Sequence, residues 1–229
     1  MKHCLSIAIV LAACGDESSS SLLTSGMSAD ITAQSDGSTT NVTAELFDGD
    51  PLQLIYVDLG SGDQLVAHYN ADSNVMEQQQ LLTIIAYVAT FDDTHDGDTF
   101  TVALNRTLDG GAPNSTMTLP TSFELDPAPA TASRAAALSL SWSPTSADAM
   151  SWQIEGTCIE TATGQISNDD GSATIPAATV VLASGSTQTS CDATLTVDRI
   201  EPGTLDHGFG HGGNASGVQT RTMTFTTTP

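Results

Sequence analysis

Basic residues are nearly absent from this chain. Lys2 is the only lysine, and beyond the first thirteen residues the cationic side chains, histidine aside, are Arg106, Arg134, Arg199 and Arg221, set against 27 acidic residues. A formal net charge of −22 repels polyanions, which excludes nucleic acid and anionic lipid headgroups as partners of the folded part. Long apolar runs are missing too. The longest opening stretch, LSIAIVLAA at 5–13, is well short of the ~20 apolar residues that span a bilayer. No segment carries a sustained helical stripe. Gly-x-Ser-x-Gly, His-Glu-x-x-His, a Walker-type glycine loop, a dinucleotide fingerprint and Cys-x-x-Cys are all absent, so the common hydrolase, metalloprotease, nucleotide and thiol-redox signatures have no foothold. Asp169 and Asp170 lie in a turn that the sequence furnishes with no aromatic platform, so glycosidase logic has none either. We expect no enzyme.

What is present at the N-terminus is an export pattern. Lys2 provides a positive start, residues 5–13 form an apolar h-region, and Ala12 and Ala13 precede Cys14. Leu11-Ala12-Ala13-Cys14 resembles the bacterial lipobox. The resemblance implies cleavage before Cys14, a diacylglycerol on its thiol and acylation of the new amino terminus, with more than one chain supplying stable membrane anchorage. An ordinary signal peptide that happens to contain a cysteine is the plain alternative; Cys4 is discarded on either reading. Residues 14–27, serine-rich and without apolar periodicity, read as a flexible lipidated tether. In the enteric lipoproteins that this motif resembles, Asp directly after the lipidated cysteine favours inner-membrane retention; here Gly15 separates Cys14 from Asp16, so the resemblance implies the outer membrane or cell surface of a bacterial envelope.

The remainder reads as β-structure. Asp outnumbers Glu, and Thr, Ser and Gly are abundant, a mixture poor for helices and good for turns and strands. Period-two alternation puts Val42, Ala44 and Leu46 on one face of 41–47, and Phe100, Val102 and Leu104 on one face of 99–107. QLVAHY (64–69) is a further strand with His68 on its polar face, and LLTIIAYVATF (81–91), apolar on both faces, reads as one central strand. DPAPATAS is rich in Pro and Ala and reads as a linker. A second series of short strands follows. The expected organisation is a signal peptide at 1–13, a tether at 14–27, a β-sandwich at 28–126, a linker at 127–133 and a second β-sandwich at 134–229. The fold class is therefore all-β, two tandem sandwiches.

The second half, with Trp142 and Trp152 on neighbouring strands, resembles immunoglobulin-like and fibronectin-type-III-like domains. It departs from the antibody pattern because Cys158 follows both tryptophans, so only the generic sandwich carries over. The whole chain also resembles bacterial lipoproteins with paired β-domains, a likeness that brings no activity with it. Alternation points Cys158 and Cys191 into one core, and in an exported protein they are expected to form a disulfide.

Two segments could carry chemistry. In FDDTHDGDTF (91–100), Asp92, Asp96 and Asp98 around Gly97 partly resemble the start of a calcium loop, without its third-position acid or its distant glutamate; a solvated hairpin turn is the favoured reading. In DHGFGHGG (206–213), His207 and His211, with Asp206, could meet a transition metal, and a flexible glycine-rich loop is the favoured reading. No cofactor is required; calcium is the one candidate ion. The expected function is a lipid-anchored, non-catalytic binding or structural module facing an envelope protein or glycan, the alternative being a calcium-dependent, carbohydrate-binding surface module.

Overall fold

The computed structural model describes residues 16–53, 55–60, 62–127 and 129–229. The signal at 1–13 and the lipidation candidate Cys14 lie outside these residues. The architecture is all-β and sandwich-like. Short 3-10 turns are its helical content among the described residues, and no helix there is long and apolar enough to cross a membrane.

The first half contains β1 (Glu17–Ser18), β2 (Met27–Ser35), β3 (Thr39–Asp48), β4 (Val57–Asp58), β5 (Gln64–Tyr69), β6 (Asp72–Val75), β7 (Glu77–Leu81), β8 (Ile84–Asp92), β9 (Thr99–Asn105) and β10 (Ala112–Thr118). The second contains β11 (Glu124–Leu125), β12 (Thr131–Ser133), β13 (Leu138–Ser143), β14 (Ala149–Gly156), β15 (Ala162–Ile166), β16 (Ser172–Ile175), β17 (Cys191–Pro202) and β18 (Gly213–Thr228). The alternation read from sequence is realised: Val42, Ala44, Leu46, Phe100, Val102 and Leu104 are all buried. Each contributes to a first core, while Trp142, Trp152, Ile154 and Leu195 belong to a second.

The two halves share one sheet. Its order is β15-β14-β17-β18-β2-β3-β8-β7, with β12 added beside β18. The 16-residue strand β18 runs parallel to β2 through Gly213–Gln219 and antiparallel to β17 along the latter's whole length. Ala215 lies in the first core and Phe225 in the second. Both are odd-numbered, so successive inward positions of one strand serve both cores on the same face of the sheet. Over that face lie two smaller sheets, β10-β9-β5-β6 and β11-β13-β16. Gly217 is where a small sheet comes closest. A Cβ there would sit 1.8 Å from the Thr118 carbonyl oxygen, a distance no side chain can accept.

Several boundaries differ from those expected. Residues 16–27 are not a loose tether. Glu17 and Ser18 pair with Val57 and Asp58, Ser19 and Thr24 are buried, and Leu22 packs on the first core. Serine-rich composition cannot supply a core, but Arg106 replaces it with hydrogen bonds. Its Nη2 donates to the carbonyls of Ser19 and Leu22, its Nη1 to Thr24 Oγ1 and its Nε to Asp63. Residues 81–91 are not one strand: β7 turns into β8 at Leu82, which takes a left-handed φ of 58°. A hairpin turn with neither Gly nor Asn leaves no trace in a hydrophobic pattern. Phe123 already belongs to the second core, whereas Phe209 belongs to the first. The 127–133 segment includes β12, which pairs with the end of β18.

Candidate functional site at the junction of the two cores

Where the two cores meet, the inward positions of the shared sheet turn polar. Along β17 the inward series Cys191, Ala193, Leu195, Val197 ends in Arg199; along β18, Gln219 and Arg221 separate Ala215 from Met223 and Phe225. Phe123, on the segment joining the halves, is laid between these groups. Its ring centroid is 4.8 Å from the Arg199 guanidinium carbon and 5.3 Å from that of Arg221. Both cations thereby gain the negative face of a shielded ring.

Arg199 is completely buried and is held by an ion pair. Its Nη2 lies 2.6 Å from Asp169 Oδ2, with both side chains fully excluded from solvent. The same nitrogen donates to the Pro144 carbonyl, and Nη1 donates to the carbonyls of Thr121 and Ser122. Only Nε is left without a partner. Asp169 accepts from Trp142 Nε1 at 2.6 Å and from the backbone N–H and hydroxyl of Ser146. Burial alone would raise its pKa, but these donors and the Arg199 charge outweigh it, and the carboxyl is held below its ordinary range. The expectation that no aromatic ring stands near Asp169 is therefore corrected: Trp142 comes from β13, the neighbour of the strand β16 that follows the Asp169 turn. The arrangement is structural: apart from Arg199 Nε, its donors and the Asp169 carboxylate are engaged with one another and with the backbone.

Between the halves opens a cleft of about 360 Å³, lined by Gly37, Thr94, His95, Asp96, Ser122 and Gln219. Arg221 forms its flank, packed against Gly37, whose φ of +106° suits glycine. The neighbouring Asp36 has its pKa lowered, chiefly by the backbone N–H groups of Thr39 and Ser38, with Arg221 contributing. The loop 92–98 thus sits in a cleft, but its carboxylates serve different neighbours. Asp98 Oδ2 accepts from the Tyr69 hydroxyl and from the His95 N–H, both at 2.6 Å. Asp96 accepts from Ser122 across the cleft, and Asp92 from Thr39. The Asp98 hydrogen bond, with burial and the carboxylate's charge, raises the Tyr69 pKa. The loop acts here as a clasp between β3, β5 and the connecting segment.

The glycine-rich loop is likewise tied down through Asp206. Its carboxylate accepts from the N–H groups of Asn114 and Gly208. His207 projects into solvent, 3.9 Å from Asp206 Oδ1, and His211 is fixed by its backbone N–H to the Met27 carbonyl. Among the described residues no group of three or more His, Cys, Asp or Glu side chains is placed to hold a metal ion. His68 bonds to Ser73 through Nδ1. Cys158 and Cys191 form the expected disulfide.

What the cleft presents to solvent is the exposed His95 imidazole and the Asp96 and Ser122 side chains, on a rim that joins both halves, with Thr94 and Gln219 buried in its wall. Sequence reading missed Arg199, Gln219 and Phe123. The signal for Arg199 was available, because the alternation that points Leu195 and Val197 inward points Arg199 inward as well. Compared with protein-family models and with curated proteins, the chain matches none.

Proposed function

We propose that this chain is a lipid-anchored protein of the bacterial cell envelope, held through Cys14 at the outer membrane or cell surface, and that it acts as a non-catalytic binding or structural module. The observation that carries the reading is Leu11-Ala12-Ala13-Cys14 placed directly after an apolar export run. A disulfide within the second core suits an oxidising compartment. The polar cleft at the junction supplies a surface suited to a glycan or to polar loops of an envelope protein.

Growth with an alkynyl fatty acid tests the anchor. The wild-type chain should incorporate the label and fractionate with membranes, and Cys14→Ser should abolish both. A photo-crosslinking residue at His95 tests the module. Capture of a discrete envelope component, lost when Asp96 is replaced by Ala, is the expected result. The calcium-dependent alternative rests on Asp92, Asp96 and Asp98, and their engagement with three separate sets of donors gives it less support.

A further inference from the structure

Large apolar side chains left exposed are not scattered over this molecule. Nine stand out among the described residues, and six of them are Leu23, Leu52, Leu81, Leu82, Ile84 and Leu108. Strand directions place these six at one end of the first half. β2 begins there at Met27, paired with Asp48 at the end of β3. Leu52 lies in the turn that follows. β7 ends and β8 begins there, with Leu82 at the tip of their hairpin. β9 ends there, leading to Leu108, and Thr24, next to Leu23, donates to Asp109. Leu52 and Leu82 are almost as open as free side chains, at 89% and 88%, and Leu108 is 75% exposed. Solvated loop tips are ordinarily polar, and an apolar set gathered on one end marks a contact surface.

The chain enters the fold at that same end. Glu17 donates to the Tyr56 carbonyl and pairs with Val57 beside the leucine-bearing turns. Cys14 precedes Glu17 by three positions, a reach of at most ~10 Å even when fully extended. A lipid on that thiol cannot let the body stand off by more than the thickness of a headgroup layer. Docking of residues 17–26 onto Arg106 removes the slack that a free serine-rich stretch would have given.

We propose that this end of the first half is a membrane-facing surface. The leucines of its loops enter the headgroup and upper acyl region of the bilayer that carries the Cys14 lipid, and the second half points away from it. The inference rests on the lipid-anchor reading above and adds an orientation to it. A short anchor keeps the leucines at high local concentration against the bilayer, so loops too weak to bind alone are held in place. The charge around them selects the surface. Glu17, Asp48, Asp58 and Asp109 share this end, with Asp16 and Asp50 next to them in the chain, so it suits zwitterionic lipid and is repelled by anionic headgroups. Since β18 rises about 3.3 Å per residue, the junction cleft at Gln219 stands about 20 Å above the loops, open to the space beyond the membrane.

The test uses the full lipidated chain in phosphatidylcholine vesicles. With Cys14 acylated and Cys158 bonded to Cys191, a cysteine introduced at Leu82, Leu108 or Thr187 is a unique thiol for a fluorophore. A quencher carried on the lipid acyl chains should dim the label at 82 and at 108 and leave it unchanged at 187, in the loop beside the disulfide. Adding anionic lipid at low salt should weaken that quenching. Equal, weak quenching at all three positions on vesicles that still carry the protein would overturn the orientation while leaving the anchor intact. Energy transfer between labels at 82, without quenching, would show that a second copy covers the leucines, and would overturn it as well. An intact mass showing no lipid on Cys14 would remove the anchor reading and the orientation with it.

Discussion

Arg199 and Asp169 meet 2.6 Å apart where no solvent reaches either side chain. They join β17 to the turn before β16, and through the carbonyls of Thr121 and Ser122 they also grip the segment that connects the halves. Such a pair is a poor source of net stability, because two desolvated charges must first be matched. Losing one partner is another matter.

Replacing Arg199 by Ala strands the Asp169 carboxylate and three carbonyls. We expect a loss of about 3–5 kcal/mol in urea unfolding, together with exposure of the 119–123 segment to protease. Asp169→Asn keeps the acceptor for Trp142 and should cost less.

Acid should unfold the protein through carboxylates whose folded pKa is depressed. In Asp63, burial is outweighed by donation from Thr107 and Ser19 and by the Arg106 charge; Asp169 is lowered in the same sense. Groups of this kind stabilise the fold fully above the unfolded carboxylate pKa of ~4, and the contribution is lost as pH falls through the lower folded value. Asp198 is opposite in sign, raised mainly by its burial against a weaker pull from Thr220. Asp198→Asn should therefore raise stability at neutral pH, and the gain should vanish below about pH 4, where the unfolded carboxyl is itself protonated. Melting curves across pH 3–8, roughly that range, check both signs.

Opening the disulfide restores freedom to a 33-residue separation. A chain-entropy estimate gives about 3–4 kcal/mol for Cys158→Ser with Cys191→Ser. Because the bond lies in the second core, hydrogen exchange should rise most in β14 and β17.

Arg106→Met should free the N-terminal segment. The variant keeps an apolar stem but withdraws the guanidinium donors to Ser19, Thr24 and Leu22, so proteolysis at Leu22–Leu23 should accelerate well before global unfolding.

Calcium and chelator should leave the melting temperature unchanged, because Asp92, Asp96 and Asp98 already satisfy Thr39, Ser122, Tyr69 and His95. A calcium-dependent rise that Asp96→Asn abolishes would restore the alternative function.

Alternation along single strands was enough to determine the class of this fold. Val42, Phe100, Leu195 and their neighbours face inward because a pleated strand has only two faces, and water selects the polar one. The same reasoning brought Cys158 and Cys191 into one core. It could not show that β18 serves both cores, because strand partnership depends on chains that are far apart in sequence: β18 pairs with β2 across nearly the whole length of the protein. It placed 16–27 outside the fold because composition reports what a segment can bury, not what a distant Arg106 can offer its carbonyls. It treated 81–91 as one strand because an apolar pattern does not register a left-handed turn at Leu82. The acidic loop at 92–98 was found by its residues, but whether three carboxylates converge on an ion or diverge to three neighbours is decided by the elements packed around them. Composition and period are properties of the chain; partnership, convergence and which end faces outward belong to the tertiary structure, where residues separated by a hundred positions compete for the same hydrogen bonds.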